Sequence, residues 1–362
     1  MTASTKPVSD SAARAAQPPS MRVAMYYANR DVRLESQPLP RVGPGEVLVR
    51  VEASGICGSD LMEWYRRDKV PMVLGHEIAG VVAEVGAGVV KLAVGDRVVA
   101  THHVPCNTCY HCLRGNHTVC ETLRRTHFDP GGFAEYLRLA PIHVDRGVLK
   151  LPDEVTLEEA TFVEPLGCAL RAQRRAGIAP AQSVLVIGSG IAGLLHLQAA
   201  RAAGATPIAA VDVRESRLAL AKRLGADATI LATDDVPARF RALTGGRLAD
   251  LVIVCAGAAA AIEQGLRSVE RGGTVILFAP TEPGATIPIS VNDLFWRNDI
   301  TVTTSYAAGL DDLAQALELI RGRRVDVAGM ITHRVGLAET GRGFALLLDG
   351  GEAVKVIVEP QR

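Results

Sequence analysis

The sequence has no net charge: 39 basic and 39 acidic side chains cancel over 362 residues. Without a basic excess there is no electrostatic reason to bind nucleic acid or an anionic membrane surface. Nor is there an apolar run near the roughly 20 residues that a membrane-spanning helix requires. Residues 1–20 are rich in Ala, Ser and Pro and lack an apolar h-region. They do not read as a secretory signal and are expected to form a disordered arm. A disulfide framework is missing too. Cys106, Cys109, Cys112 and Cys120 fall within fifteen residues, while Cys57, Cys168 and Cys255 stand alone. A tight cluster in a large chain without a signal points to metal and to a reducing cytoplasm.

What is present suits a globular protein: 48% hydrophobic and 22% charged residues, in a chain long enough for two domains. The first half is expected to be a barrel-like β domain. Arg22–Tyr27, Glu46–Glu52, Val81–Val85 and Arg97–Ala100 are β-rich and separated by Pro and Gly turns. Within it lies Gly75-His76-Glu77, with Cys57-Gly58-Ser59-Asp60 shortly before. A thiolate, an imidazole and a carboxylate are ligands that Zn²⁺ prefers. Gly75 lets backbone crowd close to an ion, and Gly80 lets the chain turn away. Taken alone, Cys57 and His76 read equally as a buried thiol and a core histidine.

Cys106-x-x-Cys109-x-x-Cys112 with Cys120 can close a tetrahedron around a second Zn²⁺, with no open position left for chemistry. Such a structural site staples a lobe with little core of its own. Disulfides or free thiols are the alternatives. His102, His103, His111 and His117 lie nearby; any could replace a ligand, but surface or core packing is the expected role of each. Thr156–Ala176 reads as a helix interrupted at Glu164-Pro165, where a carboxylate can point into a cleft or simply sit on a solvated face. Cys168 and Cys255 read as packing residues.

From Ser183 the pattern changes. A short apolar run, Ser183–Ile187, leads into Gly188-Ser189-Gly190-Ile191-Ala192-Gly193 and a helix-forming stretch. Strand before and helix after is the context that makes this glycine spacing a dinucleotide fingerprint. Gly188 makes the turn, Gly190 admits a pyrophosphate, and Gly193 allows helix to pack on strand. Ile191 and Ala192 open the helix N-terminus. Asp212, nineteen residues past Gly193, can hold the adenosine ribose and repel a 2′-phosphate, which favours NAD over NADP. Arg214 and Arg217 pull the other way; Arg217 is also placed at the cofactor. Apolar runs at 228–231, 251–255, 274–278 and 300–304, with helices between several of them, give a parallel, doubly wound sheet of about six strands.

These motifs, in this order, resemble the zinc-containing medium-chain alcohol dehydrogenases over residues 21–362, closest to the sorbitol and other polyol branch and nearly as close to threonine dehydrogenases. The resemblance implies an α/β architecture: a GroES-like β-barrel catalytic domain plus a Rossmann doubly wound parallel sheet. The catalytic domain would span 21–165 and 306–362, with the zinc lobe at about 102–124, and the NAD-binding domain 166–305. Cys57 and His76 would be ligands of a catalytic zinc, with Glu77 or Glu164 as the carboxylate. Cys106, Cys109, Cys112 and Cys120 would hold a structural zinc. Asp60 would orient His76, Ser59 would take the substrate's hydroxyl proton, and Tyr306 would stand near the substrate. Hydride would pass from a secondary alcohol to NAD⁺. The resemblance also implies a homo-oligomer, dimer or tetramer, paired through the nucleotide sheet.

Two departures bear on substrate. Many relatives carry a proton-relaying histidine two residues after Asp60, where this chain has Met62; Glu63, a ribose hydroxyl or water would have to substitute. Ser305 replaces an arginine before Tyr306, and the segment between Asp60 and Gly75 is short. Alternatives are an L-threonine 3-dehydrogenase-like activity, or a relative that binds dinucleotide without zinc chemistry, as a reductase or a non-enzymatic protein.

Overall fold

The computed structural model describes residues 19–362. The expected arm therefore lies outside the described residues except at its end, where Ser20 already opens a strand. Sixteen strands follow among the described residues. In the first half they are β1 (Ser20–Ala28), β2 (Asp31–Pro38), β3 (Val47–Gly55), β4 (Met72–Val73), β5 (Glu77–Val85), β6 (Arg97–Ala100), β7 (Tyr136–Leu139) and β8 (Val148–Lys150). Then come β9 (Val184–Ile187), β10 (Ile208–Asp212), β11 (Ala228–Leu231), β12 (Ala249–Val254), β13 (Val269–Leu277) and β14 (Thr301–Thr304). The chain closes with β15 (Ile331–Gly336) and β16 (Lys355–Glu359).

β9 to β14 form one six-stranded parallel sheet in the order β11-β10-β9-β12-β13-β14. The reversal of strand order between β9 and β12 is the switch point at which such sheets bind ligands. Every expected apolar run is a strand here, with ends shifted by a few residues. β9 and β12 are almost wholly buried because helices cover both faces.

The other strands form two mainly antiparallel sheets, β2-β1-β4 and a seven-stranded one in which β15-β16-β3-β5-β6-β8 run in order and β7 also pairs with β3. The C-terminal segment thus pairs with the first-half strands through β15 and β16. Residue 80 corrects one reading. The chain does not turn at Gly80, which lies inside β5; a Cβ there would meet the Arg50 carbonyl oxygen at 2.2 Å, so glycine serves close packing on β3.

Thr156–Ala176 is two helices, Leu157–Ala160 and Val163–Arg175. The break falls at 161–162, before Glu164-Pro165. Pro165 sits in the first turn of the second helix, where a missing N–H costs nothing. That helix straddles the expected boundary at 165/166. It packs on Leu310–Arg321, and one apolar cluster joins Ala53, Ala79 and Val99 of the barrel to Val184, Val186 and Ile253 of the parallel sheet through Leu166, Ala169, Ala316 and Ile320. No described helix is long and apolar enough to cross a membrane.

Candidate active site and zinc lobe

The site grows from the adjoining ends of β3 and β5. Their register pairs Gly55 with Glu77, and β16 places Ile357 beside Gly55. Cys57 follows β3, and His76 immediately precedes β5. Between them a short 3₁₀ turn, Gly58–Leu61, carries Ser59 and Asp60. Gly75 is required for this approach: its φ is +93°, and a Cβ would meet the Phe133 amide nitrogen at 2.8 Å.

One donor atom each from Cys57, His76 and Glu77 lie within 4.8 Å of one another. A soft thiolate, an imidazole and a carboxylate are a donor set that fits Zn²⁺. Glu164 does not join this group. It is buried on the neighbouring helix, where its Oε1 accepts from Cys168 Sγ at 3.5 Å, so that Cys168 is more than a packing residue. Burial pushes the Glu164 carboxyl up and the charge of Glu77 adds to this, against the pull of His76.

Asp60 is fully buried. Its Oδ2 accepts the Cys57 N–H at 3.0 Å, and its Oδ1 lies 3.4 Å from His76 Nδ1 and 3.8 Å from Arg66 Nη2. Burial opposes its charge, but His76, the Cys57 amide and Arg66 together hold its carboxyl below the usual range. His76 is raised well above its ordinary value: burial works against its proton, and Asp60 and Cys57 more than offset that. The same two groups face the position a cation would take. Lys355 forms a wholly buried ion pair with Glu77, and a Cβ on Gly55 would strike both partners.

Sequence reasoning did not foresee Lys355, which lies 278 residues from Glu77. It gave His102 and His103 only a packing role. The His102 ring lies 4.8 Å from His76 and 3.7 Å from His103, centroid to centroid, and Tyr306 Oη shares a 3.0 Å hydrogen bond with His103 Nε2. Their only early signal was adjacency to the cysteine cluster. Arg171 Nη1 donates to Ser305 Oγ at 2.8 Å, so a guanidinium reaches the position where the sequence itself offers serine. Glu63 is engaged elsewhere, accepting the Asn29 N–H at 3.0 Å.

Cys106, Cys109, Cys112 and Cys120 converge within 4.8 Å, all as free thiols. Sγ–Sγ separations of 3.6, 3.6 and 4.0 Å match the edge of about 3.8 Å that a tetrahedron with Zn–S bonds of about 2.3 Å demands. The amides of Thr108 and Cys109 point at Cys106 Sγ from 3.5 and 3.3 Å and bring its thiol down to about 5. The donors around Cys106 therefore already favour a thiolate.

At the switch point, Gly188 has φ +94°, and Gly190 caps the helix Ile191–Ala202. A Cβ on Gly190 would meet nothing within 4 Å, whereas one on Gly193 would lie 1.8 Å from the Gly188 oxygen. That space before a helix N-terminus fits a pyrophosphate. Asp212 ends β10 and accepts the Ser189 and Arg214 amides at 2.7 and 3.0 Å. Arg217 donates to the Ala353 carbonyl and so leans on the terminal segment of the chain.

Residues 43–153 match the alcohol dehydrogenase GroES-like domain and residues 192–322 the zinc-binding dehydrogenase domain. The chain is 34% identical to sorbitol dehydrogenase of Gallus gallus over 94% of its own length and 96% of the relative's. It is 36% identical to L-threonine 3-dehydrogenase of Bacillus velezensis, over 90% and 95%. The alcohol dehydrogenase of Thermus sp. ATN1 superposes with a TM-score of 0.82 at 31% identity, covering 94% of this chain and 99% of that one. Two domain matches, relatives aligned along nearly their whole length and paired zinc donor sets lead to one conclusion: the chain belongs to the zinc-containing medium-chain alcohol dehydrogenase family.

Proposed function

We propose that the protein oxidises a secondary alcohol of a polyol or sugar alcohol and passes hydride to NAD⁺. The observation that carries this is the meeting of Cys57, His76 and Glu77 at the ends of β3 and β5, in a chain that also has a glycine cradle ending in Asp212. When bound, Zn²⁺ supplies a charge that lowers the pKa of an alcohol hydroxyl, and NAD⁺ supplies the hydride acceptor. Cys57, His76 and Glu77 hold the metal, and Asp60 fixes the tautomer of His76. Ser59 accepts the hydroxyl proton as it passes its own on to a cofactor ribose hydroxyl or to water, and Tyr306 lines the substrate. Glu164, protonated more readily than a surface glutamate, exchanges a proton beside them. Gly188 to Gly193 hold the pyrophosphate, and Asp212 disfavours a 2′-phosphate; Arg217 stands near the same ribose. The four clustered cysteines hold a structural zinc.

An L-threonine substrate is the second reading, favoured by the 36% identity to a threonine dehydrogenase. A zinc-free role is disfavoured by the intact donor set. We further propose a homo-oligomer, since β14 ends the parallel sheet among the described residues with Val291 and Trp296 exposed nearby in sequence, and a cytoplasmic location, which suits the clustered free cysteines.

The test is NADH formation by zinc-loaded protein with polyols, sugars, inositols, L-threonine and simple alcohols. Activity on polyols that a chelator abolishes and NADP⁺ supports less well is the expected result. Silence across the panel, with zinc and NAD⁺ bound, overturns the reading.

A further inference from the structure

Tyr306 stands on the loop after β14, with half of its surface exposed. Three features fix that loop. Arg171 Nη1 donates to Ser305 Oγ at 2.8 Å, Ala307 adopts φ +55°, and Tyr306 Oη bonds His103 Nε2 at 3.0 Å. His103 is itself held. Its backbone N–H donates to Thr101 Oγ1 at 3.3 Å, and its ring stacks on His102, which lies against His76. An unbroken row of rings thus runs from the catalytic donor set to Tyr306, although His103 and Tyr306 are 203 residues apart.

Burial brings His103 down to about 4, so its imidazole is neutral at pH 7 and offers one donor and one acceptor nitrogen. Burial raises the phenol it holds, and the Glu164 carboxylate is near enough to add to this. One hydrogen bond of that phenol is committed to His103, and its further capacity is left for a ligand, since Tyr306 is half exposed. A substrate with a single hydroxyl, held at the zinc donors, would offer that capacity nothing and leave it to water. A site built to bond a hydroxyl discriminates against the analogue that lacks it.

We propose that His103 is a specificity-determining positioning residue: acting through Tyr306, it aims the phenol at a second hydroxyl of the substrate and so selects polyhydroxylated substrates over isolated alcohols. This rests on the dehydrogenase reading above.

The experiment compares kcat/KM for threitol with that for 2-butanol, four-carbon alcohols that differ in hydroxyl number. The ratio is measured in the wild type, His103→Phe, Tyr306→Phe and the double variant, with zinc content determined for each. The wild-type ratio is expected to favour threitol, and each single change to lower it about tenfold. The double variant falls no further than Tyr306→Phe, because His103 acts through that phenol. His103→Gln, which keeps a polar group at the site, recovers part of the loss. An unchanged ratio in His103→Phe, or losses that multiply in the double variant, overturns the proposal. If the wild type turns over neither alcohol, the ratio is measured instead on a polyol and a simple alcohol that it does turn over; if it turns over nothing in the wider panel, the dehydrogenase reading has failed, and ultraviolet difference titration of Tyr306 decides the contact instead. A phenol that titrates identically with and without His103 refutes it.

Discussion

Lys355 and Glu77 form an ion pair from which solvent is excluded, with side-chain exposures of 0% and 1%. Gly55 between them on β3 has no room for a methyl group. The site therefore carries its own counter-charge, and Glu77 keeps a second oxygen for another partner. Removing one member of a buried pair strands the other. Lys355→Met is expected to destabilise the zinc-free protein by about 3–5 kcal/mol. Combining it with Glu77→Gln recovers most of that loss. Denaturant unfolding of the three proteins checks this; equal stability of both variants would remove the pair from the account.

The two zinc sites separate by mutation. Cys57→Ser is expected to leave about one zinc per chain and a folded protein without turnover, since the lobe cysteines are untouched. Cys106→Ser takes the other zinc and loosens residues 102–124, whose own apolar cluster is only Cys112, Cys120 and Leu123 with Cys106 and Cys109 beside them. Metal analysis with limited proteolysis reads both. A Cys57→Ser protein with two zinc and full turnover would sink the assignment.

Gly190 and Gly193 look alike in sequence but should fail differently. A Cβ on Gly190 meets nothing within 4 Å, so Gly190→Ala keeps its stability and weakens NAD⁺ binding by tenfold or more. A Cβ on Gly193 would sit 1.8 Å from the Gly188 oxygen, so Gly193→Ala costs about 1–3 kcal/mol of fold stability as well. Thermal unfolding with and without NAD⁺ distinguishes them.

His196 is fully buried against Phe278, its Nδ1 3.1 Å from Gln173 Nε2, and burial brings it from 6.5 to about 3. The folded state therefore binds this proton later than the unfolded chain does. Stability is intact above pH 6.5 and falls as pH drops toward 3, by about 1.4 kcal/mol per pH unit from this group. His196→Leu should flatten the acid limb by one proton's slope. Unfolding free energies at pH 7, 6 and 5 test it; an unchanged slope refutes it.

Local chemistry made part of this legible in sequence. The six strands of the parallel sheet are short apolar runs, and Gly188 to Gly193 mark a turn that few other residues could make. The cysteine cluster is close in sequence, so its geometry follows from its spacing. What sequence hid is non-local. Lys355 looks like a surface residue until β16 is laid beside β3. His103 and Tyr306 share no periodicity. The break falls before Val163 and not at Glu164-Pro165, because a proline in a helix's first turn interrupts nothing.

The apolar cluster that runs from Val99 through Leu166 and Ala316 to Val186 gives the molecule a single thermodynamic identity. Two recognisable modules share one interior. A gene fragment ending between them would exchange buried leucine and alanine for water. The halves are thus inherited as a matched set: the helices Val163–Arg175 and Leu310–Arg321 have to travel with the sheet, and a calorimeter should record one cooperative melt where the domain matches suggest two.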